Sequence, residues 1–282
     1  MTQVLVTSVM ERPNLDNIQL RMGTDSTPEP FFHPTLEFHQ PINVKTMRFC
    51  QINDPAVLRS IGLAISHAVN LQELHIEADP DSRLSLDSLL ASCNGRCVFQ
   101  LHSLDIQGID VIHMTPRSFW GTLSPSRLHE LTLHLGDKAL AECSDFWEES
   151  MRVGLRPRRL STNLILPGLK QFLLSFTGLE VFNITPPSPL FSNEILLSLL
   201  QALQENHSTT TKVLAVMPGG RPTYYTIGHD IIAGLSGALP GIEELRFGLV
   251  QPDLVSELPA DKGATVLTIL CLANSQSCFM RL

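Results

Sequence analysis

The fold is decided by the stretch Asn70-Leu71-Gln72-Glu73-Leu74-His75-Ile76-Glu77, which carries the pattern L-x-x-L-x-I. Successive side chains of a β-strand point to opposite faces. Leu74 and Ile76 therefore share one face of a strand, and the polar residues around them share the other. The pattern predicts a strand with one face toward a core and the other toward water or a partner.

The same pattern recurs along the chain, with a mostly apolar residue at the first position and apolar residues at the fourth and sixth. The first positions are Leu15, Val44, Leu71, Leu101, Leu128, Leu179, Thr211, Ile242 and Leu267. They are separated by 29, 27, 30, 27, 51, 32, 31 and 25 residues. A nearly constant period of this kind predicts a solenoid, in which each repeat buries its apolar face against its neighbours.

Helical patterns fall between the predicted strands. Asp54-Pro55 is a typical helix start, because Asp caps helices and Pro suits the first helical position. Leu58, Ile61 and Ile65 then share one helical face. Parallel strands need such crossover segments, so the alternation of strand and helix predicts an α/β fold.

The repeats resemble the leucine-rich repeat family, especially its longer, helix-containing repeats, although the Asn that often follows L-x-L is mostly missing. Their irregular style is also similar to that of the repeats in fungal F-box-type proteins, without an F-box at the N-terminus. The resemblance implies a horseshoe with a parallel sheet on its concave side and helices on its convex side. We therefore predict a single leucine-rich-repeat domain over residues 1–282, with about nine strand repeats and an insertion at about 136–168.

Composition narrows the class of partner. The 282 residues are 43% hydrophobic and 17% charged, which suits a large core. The formal charge of -8 disfavours nucleic acid, whose binders usually present a basic face. The N-terminus lacks a signal-peptide pattern, and the late apolar run 264–273 is too short to span a bilayer. We expect no membrane partner and an intracellular location, cytoplasmic or nuclear.

Motifs that carry chemistry are missing from the sequence, including G-x-x-x-x-G-K, G-x-G-x-x-G, G-x-S-x-G and H-E-x-x-H. Cys93 and Cys97, with His102 and His113 nearby, form the one arrangement that suggests metal. Their spacing differs from the tighter pairs of zinc sites. We therefore predict a non-enzymatic protein with no catalytic residues, no cofactor and no metal site.

The polar strand positions are the candidate binding residues. The residues predicted to contact a protein or peptide ligand from the concave face are Arg48, Glu73, His75, Glu77, Asp105, Gln107, Glu130, Thr132, His134 and Arg246. An extended surface of mixed polar character suits such a partner. The alternative for these positions is that they are only solvated, with binding elsewhere.

The predicted function is a protein–protein interaction module. The family resemblance implies a substrate-recognition part of a ubiquitin-ligase-like receptor. One alternative is a decayed or truncated fragment of a longer leucine-rich-repeat receptor without its own partner. Another is a hydrolase whose site is assembled within 128–179.

Two further features stand outside the repeat pattern. Arg152, Arg156, Arg158 and Arg159 form a basic cluster, either a solvated loop end or a contact for an acidic or phosphorylated partner. Gly219-Gly220 lies between two β-prone runs, 213–217 and 223–227, and predicts a hairpin.

Overall fold

The computed structural model describes residues 16–21, 43–79, 82, 84–91, 100–109, 119–121, 123, 125–136, 144–185, 192–216, 239–247, 268–271 and 278–281. The chain divides into two compact units, Met1–Leu155 (unit 1) and Arg156–Leu282 (unit 2). The single domain over 1–282 stays a prediction. Cys93, Cys97, His113 and the second arm of the predicted hairpin lie outside the described residues.

Unit 1 alternates strands and helices along a parallel sheet. Its strands are β1 (Asn17–Arg21), β2 (Thr46–Ile52), β3 (Glu73–Ala78), β4 (Ser103–Ile109) and β5 (Glu130–Leu135). Its helices are α1 (Pro55–His67), α2 (Leu86–Ala91) and α3 (Phe146–Arg152), with a 3-10 turn at Pro125–Arg127. Each of the strands β1 to β4 pairs in parallel with the next one in sequence, so that the series ends at β5. The prediction of an α/β fold with a parallel sheet is confirmed.

Unit 2 continues the alternation but ends differently. Its strands are β6 (Arg159–Thr162), β7 (Val181–Ile184), β8 (Val213–Val216), β9 (Glu244–Phe247), β10 (Thr268–Cys271) and β11 (Cys278–Arg281), and its helices are α4 (Leu169–Leu174) and α5 (Asn193–His207). Strands β6 to β9 pair in parallel. Strand β11 pairs antiparallel with both β9 and β10.

The expected all-parallel sheet is therefore wrong at this end of unit 2. The predicted copy at Leu267 does form a strand, β10, but its hydrogen-bonded neighbour is the antiparallel β11. The segment between them, 272–277, is too short for a parallel crossover, which needs roughly a dozen residues or more. A connection of that length is compatible with the observed antiparallel pairing of β10 and β11.

One backbone arrangement recurs where the strands begin. The carbonyl oxygen of Lys45 accepts hydrogen bonds from the N–H groups of Gln72 (2.8 Å) and Glu73 (2.9 Å) in the next repeat. The carbonyl oxygens that accept the same pair of bonds are those of Asp16, Gln72 and His102 in unit 1 and of Arg158, Glu180 and Lys212 in unit 2. We call this series of bonds the carbonyl ladder. Each of these acceptors directly follows the first position of a repeat.

The ladder exposes a repeat that the sequence pattern missed. Strand β6 lies inside the segment predicted as an insertion at about 136–168, and it pairs with β7 from Arg159 opposite Val181. Its repeat has Pro157 at the first position and Thr162 at the sixth, and both are buried. Pro is tolerated because the first position contributes no N–H to the ladder. The hydroxyl of Thr162 is satisfied, since it accepts a hydrogen bond from the Leu164 amide at 3.0 Å.

Helix α1 forms as its sequence predicts. The Asp54 side chain caps it, accepting a hydrogen bond from the Ala56 amide at 2.7 Å. Leu58, Ile61 and Ile65 are buried on its inner face. A helix cap of this kind is worth about 1 kcal/mol, whereas the buried aliphatic face contributes several times that by removing apolar area from water.

A buried aromatic cluster fills unit 1 beside α3. The Phe119 and Trp120 rings meet edge to face at 4.7 Å, and Phe146 and Trp147 meet in the same way at 5.2 Å. The indole N–H of Trp120 donates to the Ser150 hydroxyl at 3.0 Å, and that hydroxyl donates to the Phe146 carbonyl oxygen at 2.7 Å. The buried polar groups of the cluster are therefore hydrogen-bonded to one another.

The helices of the described part of the chain are short. The longest, α5, has 15 residues. None of the helices in the described ranges is long and apolar enough to cross a membrane.

Candidate functional site

The parallel register lines up the polar residues of unit 1 on one side of its sheet. The first row is Thr46, Glu73, Ser103 and Glu130; the second is Arg48, His75, Asp105 and Thr132; the third is Glu77, Gln107 and His134. We call these three rows the polar strand face. Residues between them on each strand, such as Leu74 and Ile76, are buried. The structure thus brings together every predicted binding residue except Arg246.

Arg246 lies apart from this surface, on β9 of unit 2, where its guanidinium donates to the Glu244 carboxylate at 2.8 and 3.0 Å. Its partner position on β8 is Ala215. Ala215 is buried, with 3% of its surface exposed, and it lies in register between Asn183 on β7 and Arg246 on β9.

A hydrogen-bond network ties the second and third rows together. The Asp105 carboxylate accepts a hydrogen bond from His75 Nδ1 at 2.7 Å. The Gln107 amide donates to both oxygens of Asp105, at 3.0 and 3.2 Å. The bond to Asp105 raises the pKa of His75, against the lowering effect of burial. In the neutral ring this bond places the proton on Nδ1, and Nε2 is then the nitrogen without a proton.

A β-bulge places a cysteine beside this network. The β2–β3 register shifts between Phe49 and Ile52, and Gln51 has a left-handed φ of 58°. The extra residue returns Ile52 to the core, while Cys50 keeps the polar side that Arg48 occupies two residues earlier. The Gln51 amide oxygen is held by Arg21 Nε at 2.8 Å.

Cys50, His75 and Glu77 converge as a result. One potential ligand atom from each lies within 4.8 Å of the others, and we call this group the Cys50 cluster. His75 Nε2 is 3.8 Å from a Glu77 carboxylate oxygen. Burial raises the pKa of the Cys50 thiol, and its hydrogen bond to Glu77 raises it further. It is the only such group of three His, Cys, Asp or Glu side chains among the described residues.

The Cys50 cluster was not predicted from the sequence. Cys50 lies 25 residues before His75, so no local motif links them. The available signal was its position: Cys50 follows Arg48 by two, and therefore continues the polar side of the predicted strand, facing the repeat that holds Glu77. The bulge at Gln51, which lets Cys50 and Ile52 take opposite sides, is not visible in the side-chain pattern.

Two kinds of chemistry use these residue types. Cys50, His75 and Asp105 match the residue types of a catalytic triad, in which a thiol is the nucleophile, an imidazole is the base and a carboxylate orients the base. Reactive cysteines, however, have a lowered pKa, whereas burial and Glu77 raise the pKa of Cys50. The surroundings therefore favour the protonated thiol over an activated thiolate nucleophile. The cluster also lies outside 128–179, the interval in which the hydrolase alternative places its site.

Two arginines of the basic cluster lie close to carboxylates. Arg152 on α3 forms an ion pair with Glu149 one turn earlier. Arg158 lies 3.9 Å from the Glu180 carboxylate in unit 2. Both arginine side chains are more than half exposed, which fits the interpretation of a solvated surface.

A groove lies in unit 2, between the start of α4 and the start of α5. It measures about 450 Å³ and is lined by Ile165, Leu166, Lys170, Glu194, Ile195 and Leu199, among others. None of the predicted binding residues lines it.

Compared with known proteins, the chain matches no family model, no curated protein sequence and no solved structure. Function therefore has to be inferred from the chemistry of the polar strand face and the Cys50 cluster.

Proposed function

We propose that this protein is a non-enzymatic protein–protein interaction module that binds a protein or peptide through its polar strand face. The supporting observation is the in-register alignment of polar side chains across β2, β3, β4 and β5. With strands about 4.8 Å apart and rows two residues apart, the surface measures roughly 14 by 13 Å. That area suits a short extended segment of a partner.

The charge of the polar strand face indicates the chemistry of that segment. The three rows carry four carboxylates, those of Glu73, Glu77, Asp105 and Glu130, against the single guanidinium of Arg48, for a formal charge of -3 with histidines neutral. Complementary charge steers association and fixes register. We therefore propose a partner segment that carries Lys or Arg.

The proposed scaffold is a leucine-rich-repeat-type solenoid with the polar strand face on its concave side. The recurring pattern, the parallel pairing within each unit and the carbonyl ladder support this proposal. The finer proposal, a substrate-recognition part of an intracellular ubiquitin-ligase-like receptor, rests on the family resemblance alone.

The test compares capture of partners by the wild type and by an isosteric variant. Glu73→Gln, His75→Gln, Asp105→Asn and Glu130→Gln together remove three of the four carboxylates of the face, which brings its formal charge from -3 to zero, while nearly keeping side-chain size. Tagged full chains are purified from the same cells after crosslinking, and the crosslinked partner peptides are mapped by mass spectrometry. We expect peptides crosslinked to the face in the wild type and their loss in the variant.

The matched control replaces exposed glutamates on helices, Glu148→Gln in unit 1 and Glu205→Gln in unit 2. This double variant should capture the same partners as the wild type. Equal capture by the quadruple variant, with an unchanged circular dichroism spectrum, would show that the face is only solvated. A wild type that brings down nothing beyond chaperones would instead favour the fragment alternative.

A further inference from the structure

We propose that Cys50, His75 and Glu77 bind a Zn²⁺ ion, with Asp105 as the residue that positions His75. The proposal goes beyond the interaction function and does not depend on it. Thiolate, imidazole and carboxylate are the three ligand types that Zn²⁺ takes from proteins. A thiolate ligand disfavours Ca²⁺ and Mg²⁺, which select oxygen.

The spacing of the ligand atoms fits a small tetrahedral ion. Zinc–ligand distances of about 2.0 to 2.3 Å place neighbouring ligand atoms roughly 3.3 to 3.8 Å apart. The Nε2 of His75 and the nearer Glu77 oxygen are 3.8 Å apart. All three ligand atoms lie within 4.8 Å of one another. Closing the widest separation requires a movement of about 1 Å, which side-chain rotation supplies.

The orientation of the histidine is an independent observation. Ligating histidines usually donate their second ring N–H to a carboxylate or carbonyl, which directs the other nitrogen at the metal. Here Asp105 accepts from Nδ1 of His75 at 2.7 Å, and Gln107 in turn holds both Asp105 oxygens. His75 Nε2 is thereby directed at the side occupied by Glu77 and Cys50.

The backbone under the ligands is firmly held. Cys50 is flanked in β2 by the buried Phe49, and Ile76 between the two β3 ligands is fully buried. Sites built on strands of a scaffold are better defined than sites on loops. The three ligands thus come from two hydrogen-bonded neighbouring strands.

The local charge also permits a divalent cation. Arg21 and Arg48 are the cationic groups that act on the cluster. Glu77, Asp105 and the Cys50 thiolate that forms on binding together outnumber them, three negative charges to two positive. Zinc binding would release the thiol proton. Three protein ligands leave a fourth position for water or for a group of the partner.

The experiment titrates Zn²⁺ into the full chain, stripped of metal and kept reduced, against a chromophoric chelator. We expect the wild type to bind a single tight equivalent, and Cys50→Ser and His75→Gln to lose it. Asp105→Asn should weaken binding by roughly 10- to 100-fold, as expected for an orienting carboxylate. Co²⁺ should give a thiolate charge-transfer band that Cys50→Ser removes.

The controls separate this site from adventitious binding. The sequence has six cysteines and ten histidines, so Cys143→Ser and His129→Gln serve as matched variants and should bind like the wild type. The proposal is overturned if the wild type binds no Zn²⁺ at micromolar concentration. It is equally overturned if correctly folded Cys50→Ser and His75→Gln variants bind with wild-type affinity. None of these measurements requires a protein partner, so the zinc proposal and the interaction proposal can each fail independently of the other.

Discussion

Gly108 on β4 is the position where one added methyl group should cost most. Its φ is +72°, and an added Cβ would lie 2.7 Å from the Ala78 carbonyl oxygen. A side chain in the left-handed region costs about 1–2 kcal/mol, and forcing a carbon into an occupied position typically costs about 1–3 kcal/mol more. Reduced freedom of the unfolded chain returns about 0.4–1 kcal/mol. Gly108→Ala should therefore destabilise the protein by roughly 1 to 4.6 kcal/mol.

Two other glycines of unit 1 separate the causes. Gly154 has a φ of +73° but no atom within 4 Å of an added Cβ. Gly154 ends α3 in a Schellman motif. Its N–H donates to the Met151 carbonyl oxygen, and the Leu155 N–H donates to the Ser150 carbonyl oxygen. Gly154→Ala should show the left-handed penalty alone. Gly121 has neither feature, and Gly121→Ala should not destabilise.

Urea unfolding of the three variants provides the test, with the midpoint as the readout and an unchanged slope as the condition for comparing them. The expected order of destabilisation is Gly108→Ala, then Gly154→Ala, then Gly121→Ala. Equal losses for Gly108→Ala and Gly154→Ala would refute the argument from the close carbonyl oxygen. A Gly108→Ala variant as stable as the wild type would refute both the conformational and the steric part of the argument for Gly108.

His207 is buried, and both of its ring nitrogens are hydrogen-bonded. The amide of Leu179 donates to Nδ1 at 3.2 Å, and Nε2 donates to the carbonyl oxygen of Leu173 at 2.8 Å. Burial lowers the pKa of His207. Below a pH of about 6.5 the unfolded chain therefore binds more protons than the folded protein. The urea midpoint should fall as the pH is lowered through this range, and His207→Gln should remove this part of the pH dependence. Ser150→Ala should cost about 1–3 kcal/mol of unfolding free energy, because it leaves the buried indole N–H of Trp120 without its acceptor. Urea titration at constant pH measures that loss.

Matched controls accompany both predictions. His129 is exposed, and the His129→Gln variant should keep the full pH dependence of the urea midpoint. If this variant lost the pH dependence, a group other than His207 would be its cause. Ser66 donates an exposed hydrogen bond to the Leu63 carbonyl oxygen at 2.7 Å. Ser66→Ala should change stability by less than about 0.5 kcal/mol, and a loss equal to that of Ser150→Ala would contradict the role of burial.

The strands were predictable because the side-chain pattern reports burial directly. In β3, Leu74 and Ile76 are buried, whereas Glu73 is exposed and His75 half-buried. Strand β6 escaped because Pro157 and Thr162 are buried without being typical apolar strand residues. That repeat is identified by a backbone hydrogen bond, which the Glu180 N–H donates to the Arg158 carbonyl oxygen. Such a bond does not depend on side-chain type, so the sequence pattern does not reveal it.

The candidate site likewise has one part that the sequence pattern predicts and one part that it does not. Its three rows follow from strand periodicity and register, so the members of the polar strand face could be predicted one by one. The Cys50 cluster could not, because it depends on the left-handed backbone of Gln51 and on one extra residue in β2. A bulge is a local exception to the periodicity from which the rows are derived.

The carbonyl ladder also gives each unit a direction. Every pair of N–H groups in it belongs to a later repeat and reaches back to an oxygen of the repeat before, as Glu73 does to Lys45 and His102 does to Gln72. During synthesis the N-terminal repeat leaves the ribosome first. Each newly emerging strand of the ladder therefore meets an acceptor that is already in place, and for these strands the order of translation matches the order in which they can dock.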